Sequence, residues 1–174
     1  EGRLEEARLE ETFIKLIRRH ESLRTSFEVI NGEPVQRIHE NCKFQITGEF
    51  VRRFDLGRAP LLRVGLLKNA GTYRLLIDMH HIVSDGWSVR LLFQELSAVY
   101  SAFSRGQASP LPELPVQYPD FAAWQQKRLA GGKLDGEVAY WRERLGDEPP
   151  ALELPTDRPR PPRQTFRGAL YPVE

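Results

Sequence analysis

The sequence predicts an α+β fold, helices packed on a mixed or antiparallel sheet, from three observations. Residues 4–20 and 88–103 carry apolar side chains at helical spacing. Two pairs of extended runs meet at short turns, one at Asn31-Gly32 and one at Asn69-Ala70-Gly71. Strands and helices mix without the strict βαβ alternation that a parallel sheet needs. The chain has 174 residues, enough for one domain with a sizeable core. Its 40% hydrophobic and 28% charged residues are ordinary for a globular protein in water. Lys and Arg number 25 against 24 Asp and Glu, a net charge of +1 that supplies no field for nucleic acid or an anionic membrane. No apolar run approaches the roughly 18 residues that span a bilayer.

The elements follow in order. In residues 4–20, Leu9, Phe13, Leu16 and Ile17 recur on one helical face. In SLRTSFEVINGEPVQRI two extended runs flank Asn31-Gly32, a pair suited to the positive φ angles of a tight hairpin turn. Pro34 must then sit at a strand start or edge, because it has no N–H for the ladder. APLLRVGLL and TYRLLIDMHHIV make the second extended pair. From Ser88 to Phe103 a stripe of Val89, Leu92, Phe93, Leu96, Val99, Tyr100 and Phe103 marks the clearest helix. SRGQASPLPELPVQYPD is a loop dense in Pro and small polar residues. Two more helices are expected at 120–130 and 135–145, broken by Gly131-Gly132, with Phe121 and Trp124 on one face and read as core. The Pro-rich EPPALELPTDRPRPPRQ is neither helix nor central strand, and Arg158, Arg160, Arg163 and Arg167 read as the solvated face of an extended connector. The lone cysteine, Cys42, excludes an internal disulfide, fits a reducing, cytoplasmic location and reads as a packing or surface residue. No signal-peptide pattern opens the chain, and both ends read as a piece of a longer polypeptide.

Candidate chemistry gathers in HHIVSDGW, His80 to Trp87. Continued alternation along a strand from Tyr73 points adjacent His80 and His81 opposite ways, so they cannot share a metal. A site through His81 and Asp85 lacks a third ligand, and no HxxxH or HExxH spacing exists. His80 shares its face with Asp78 and Arg74, which suits a hydrogen-bonded structural role. His81 ends the strand and precedes Ser84-Asp85-Gly86, a turn into the helix that begins near Ser88. Gly86 lets backbone approach another group closely, and the helix amino terminus offers free N–H groups. A histidine there is placed to take a proton near neutral pH, yet geometry alone leaves packing and proton transfer both open.

HHIVSDGWS resembles the HHxxxDG signature of the condensation domains of nonribosomal peptide synthetases, members of the chloramphenicol-acetyltransferase-like superfamily. RHESLRTSF, Arg19 to Phe27, is similar to that family's RHExLRTxF, and YPDFAAW, Tyr118 to Trp124, to its YxDFAxW. FDLGRAPLLR, AYWRERL and LELPTDRPRP read like the stretches between and after those motifs. The resemblance runs in order across nearly the whole chain.

It implies a chloramphenicol-acetyltransferase-like sandwich, with residues 1–150 the amino-terminal lobe of a V-shaped domain. Residues 151–174 would lead to a carboxy-terminal lobe that the chain lacks, and the opening motif of the family is absent as well. The implied reaction joins two thioesters carried on 4'-phosphopantetheine arms of donor and acceptor peptidyl carrier proteins, beside an adenylation domain, with no cofactor bound directly. His81 would act as base or positioning group, and the Gly86 N–H would help hold the oxyanion. His80, and an ion pair of Asp85 with Arg24, would be structural, with helix capping the competing role for Asp85. Ser84, Trp87 and Ser88 are candidates for the substrate channel. Ser84 before Asp85 resembles the subtype joining an L-configured donor to an L-acceptor. Heterocyclising relatives, with aspartates for the histidines, fit less well. The 174-residue chain alone is expected to be inactive. A stand-alone coenzyme A-dependent acyltransferase of the same superfamily and a non-catalytic carrier-binding lobe are the alternatives.

Overall fold

The computed structural model describes residues 4–48, 52–69, 71–163, 165 and 167–172, so Ala70 of the second predicted turn lies outside them. The chain divides into two compact units, Glu1–Gly131 and Gly132–Glu174. No described helix is long and apolar enough to cross a membrane.

The first unit opens with α1 (Glu6–Arg19), whose buried face is Leu9, Phe13, Leu16 and Ile17 as the helical spacing predicts. A single 3₁₀ turn, Glu21–Arg24, leads into β1 (Thr25–Ile30), which pairs antiparallel with β2 (Glu33–Ile38). Asn31 and Gly32 hold φ of 54° and 84°, the left-handed pair that the tight turn requires. β3 (Leu62–Asn69) pairs with β4 (Thr72–Met79) in a second antiparallel ladder. The strands thus form two separate two-stranded sheets. Loop backbone joins them at the edges, Leu56 C=O accepting from Phe27 N–H (2.8 Å) and Val64 C=O from Thr47 N–H (2.9 Å). α2 (Gly86–Ser104) and α3 (Tyr118–Ala130) complete the unit.

Its core sits between α1, α2 and one face of β3. Phe13, Leu16, Val64 and Val99 are fully buried, Leu62, Leu92 and Leu96 nearly so, and Leu75, Ile77 and Met79 of β4 pack against this cluster. Side chains two apart on β3 and β4 share a face, so each strand lays an apolar row under the helices. Cys42 also packs against the core, as expected. Burial pushes its thiol up, only partly offset by the charge of Arg24, which leaves it a poor nucleophile.

Two expectations need correction. β4 stops at Met79, and although His80 N–H still donates to Leu61 C=O (3.0 Å), His81 lies in the following turn. The alternation expected through Val83 therefore ends with the strand. Phe121 and Trp124 do share a helix face, with ring centroids 5.6 Å apart, but they are 43% and 53% exposed. α3 buries no residue.

In the second unit α4 (Asp135–Leu145) follows Gly132, whose φ of 65° marks the predicted break. Beyond Gly146 the described residues form neither helix nor strand, and Arg158, Arg160, Arg163 and Arg167 are exposed. Five prolines from Pro149 to Pro161 are enough to exclude both ladders there.

Candidate active site

The turn from β4 into α2 is built by its own side chains. Asp85 is the N-cap of α2: Ser88 N–H donates to its Oδ1 (2.7 Å), and Asp85 N–H donates to Ser88 Oγ (2.7 Å). Two donors that a helix start would leave open are satisfied reciprocally. The hydrogen bonds from the backbone and side chain of Ser88 hold the Asp85 carboxyl below the usual carboxylate range, against a smaller desolvation effect. The cap is therefore fully made above the ordinary carboxylate pKa and is lost as pH falls through the lowered value.

His80 Nδ1 accepts from Ile82 N–H (3.1 Å), and its ring meets Phe54 edge-on at 5.9 Å. It is hydrogen-bonded as expected, but its partners are not Asp78 and Arg74. Asp78 pairs with Arg63 across the ladder at 3.1 Å. His81 Nδ1 lies 2.5 Å from Ser84 C=O. A carbonyl only accepts, so Nδ1 carries the proton, and in the neutral ring Nε2 keeps its lone pair. Nε2 has no partner among the described residues.

His81 is exposed and lines a cavity of about 350 Å³. Ile82, Val83, Ser84, Asp85, Trp87 and Ser88 border it from the same turn, and Leu91 from the next turn of α2. The opposite wall comes from Ser22, Thr25 and Phe27, from Gln36, and from Tyr118 at the start of α3. Phe27 and Gln36 stand opposite each other in the β1–β2 register, so one hairpin supplies both. Each of the three motif segments thus reaches the same cavity. Of the channel candidates, Trp87 is 75% exposed at the wall, with the Arg90 guanidinium 5.9 Å from its ring centroid. The Ser84 hydroxyl donates to His80 C=O (3.1 Å), and the Ser88 hydroxyl is engaged in the cap. Gly86 is not part of the lining, and its N–H has no acceptor among the described residues.

Arg24 and Asp85 do not form the expected ion pair. Arg24 donates to Glu21 Oε1 (3.1 Å) and to His39 C=O (3.1 Å), while Asp85 is spent on Ser88. On a 3₁₀ turn, side chains three apart eclipse, so Glu21 is the carboxylate nearest Arg24. The substitutions Arg24→Ala and Asp85→Ala are accordingly expected to be additive in thermal unfolding of the complete parent domain. A double variant that melts well above the sum of the two single shifts contradicts this arrangement.

Sequence spacing sets His20 alone, whereas it belongs to a cluster around a buried glutamate. Glu95, 6% exposed on α2, accepts from Arg19 Nε with both oxygens at 3.2 Å and lies 2.6 Å from His20 Nε2. Arg19 also donates to Pro112 C=O. Gln117, the residue before α3, donates to Arg19 C=O (2.9 Å) and accepts from Glu21 N–H (3.1 Å). The cluster locks the end of α1 and the start of α3 to α2, and so holds the cavity walls in register. The signal that could have found it is a single glutamate, Glu95, between Leu92 and Leu96 on the apolar face of α2. Among the described residues no group of three or more His, Cys, Asp or Glu side chains converges on a metal position.

Known proteins are similar to this chain in sequence and fold. The family model "Condensation domain" matches residues 1–173. The chain is 47% identical over 183 residues to Gramicidin S synthase 2 of Brevibacillus brevis, covering 97% of this chain and 4% of that protein. It is 44% identical over 185 residues to Tyrocidine synthase 2 of Brevibacillus parabrevis, covering 98% and 5%. Among solved structures it is similar to the X-domain from teicoplanin biosynthesis, with TM-score 0.80, 30% identity, and coverage of 92% of this chain and 40% of that one. The epimerization domain from the third module of tyrocidine synthetase B gives TM-score 0.74, 27% identity, and coverage of 88% and 40%. The chain spans a small part of those synthetases and two-fifths of those structures. With the family model matching residues 1–173 and the three sequence motifs gathered round one cavity, this chain belongs to the condensation-domain family of the nonribosomal peptide synthetases.

Proposed function

We propose that the chain is the amino-terminal lobe of a domain that forms a peptide bond between two carrier-bound thioesters. The α-amine of the acceptor aminoacyl group attacks the donor carbonyl carbon, the carbon–sulfur bond breaks, and the proton lost from nitrogen ends on the departing thiol. The observation that carries this reading is the His81 ring, with Nδ1 anchored on Ser84 C=O and Nε2 open beside a substrate-sized cavity. His81 Nε2 accepts a hydrogen bond or the proton from the attacking amine. Holding two tethered reactants in line is worth on the order of 7–11 kcal/mol, more than the base itself supplies. The phosphopantetheine arms of donor and acceptor carriers are the substrates' handles, and an adenylation domain is the expected neighbour. Residues 151–174 lead to a second lobe that closes the site, so the 174-residue chain alone is expected to form no peptide bond. Ser84 before Asp85, with the wording of RHESLRTSF, supports an L-donor and L-acceptor.

The likeness to the X-domain favours a second reading, because that domain is also known in complex with OxyB. There the lobe would be a docking surface and His81 a structural residue. Condensation assayed with loaded donor and acceptor carriers separates the two, since only the first reading makes turnover depend on His81.

The Gly86 N–H, unpaired among the described residues at the first turn of α2, between the lining residues Asp85 and Trp87 though not itself in the lining, is the donor we assign to the oxyanion. A Cβ built on Gly86 meets nothing within 4 Å, and its φ is not positive. Gly86→Ala is therefore expected to keep or slightly raise stability, by about 0.4–1 kcal/mol. Its rate should fall all the same, because the methyl would occupy the approach to that N–H. A variant with full activity removes Gly86 from the chemistry.

A further inference from the structure

The turn between β4 and α2 has its hydrogen bonds arranged as a clamp on one ring. His80 C=O accepts from Val83 N–H (3.1 Å) and from the Ser84 hydroxyl (3.1 Å). The hydroxyl thereby ties residue 84 back to the end of the strand. The carbonyl of the same residue accepts from His81 Nδ1 at 2.5 Å. The Ser84 hydroxyl and carbonyl thus join the strand end to the ring through one residue.

We infer that Ser84 is a positioning residue, whose hydroxyl holds its own carbonyl where it fixes His81 as the Nδ1–H tautomer with Nε2 free for the substrate amine. This rests on the reading of His81 as the group that meets the amine, and it adds the device that prepares the ring. An imidazole free in water populates both neutral tautomers. The other tautomer would set the Nδ1 lone pair against the Ser84 carbonyl lone pairs and turn an N–H toward the amine. That form can neither accept a proton nor receive a hydrogen bond at Nε2. Ser84 therefore touches the reaction only through His81. The alanine variant keeps the carbonyl but loses its anchor.

The test uses the complete parent domain labelled with ¹⁵N-histidine, with Ser84→Ala and Ser84→Thr beside the parent. In the parent, the neutral His81 ring should give one protonated Nδ1 and one unprotonated Nε2. Ser84→Ala should show a mixture of tautomers and a kcat reduced about threefold to tenfold, the range of one neutral hydrogen bond, with KM unchanged. Ser84→Thr, which keeps the hydroxyl, should restore both. A single Nδ1–H tautomer in folded Ser84→Ala with kcat within a factor of about two overturns the inference. A tautomer mixture with unchanged kcat upholds the clamp and removes His81 from the chemistry, so failure of the functional reading is told apart from failure of the clamp.

Discussion

Replacing His81 by alanine in the complete parent domain is expected to slow peptide-bond formation about 10²- to 10⁴-fold while the domain stays folded. The rate effect follows from what the ring offers, an Nε2 without a partner among the described residues at a cavity wall, held by a single contact on its far side. Folding survives because the side chain is exposed and contributes nothing to the core of α1, α2 and β3. Single-turnover transfer between loaded carriers reads the rate, and circular dichroism reads the fold. Equal losses in kcat and kcat/KM would place the interaction in the transition state. Folded His81→Ala with near-parental transfer would leave the ring no part in the reaction.

The largest stability effect is expected at Glu95. Its carboxylate serves Arg19 and His20 from a site where the Glu95 and Arg19 side chains are 8% and 11% exposed. Glu95→Ala deletes the carboxylate and strands a desolvated guanidinium, a change worth about 3 kcal/mol. Glu95→Gln keeps the shape and an acceptor oxygen and should cost less. Denaturant unfolding of the parent domain measures both, with the midpoint falling and the slope unchanged if the native state alone is affected. The cost should also reach the site, since Ser22, Thr25 and Phe27 follow Arg19 and His20 in the chain while Leu91 and Ser88 lie one and two turns before Glu95. A loss below about 1 kcal/mol would mean that the cluster behaves as a solvated surface pair.

Much of this was legible because it is local. Asn31-Gly32 and Gly131-Gly132 set turns through their own φ preferences, and the spacing of Leu9, Phe13, Leu16 and Ile17 names a buried face without reference to anything distant. His81 was singled out as a candidate by the residues on either side of it, which left packing and proton transfer both open. Choice of partner was not legible. Arg24 was expected to meet Asp85, and spacing could not say that it would pair with Glu21 on its own turn while Asp85 closed a cap on Ser88. His20 and Glu95 lie 75 residues apart and meet only because α1 packs on α2. Phe121 and Trp124 show the remaining gap. Periodicity tells which side of a helix is apolar, but not whether another element covers it.

The central claim is that His81 works through one nitrogen, Nε2, while Nδ1 serves as its anchor. The direct measurement places histidine methylated on Nε2 at position 81 of the complete domain and follows transfer between loaded carriers. The account predicts a loss as deep as that of His81→Ala, because the methyl takes the place of the Nε2 lone pair and leaves Nδ1 of the neutral ring with no proton for Ser84 C=O. Turnover close to that of the unmodified domain would contradict it.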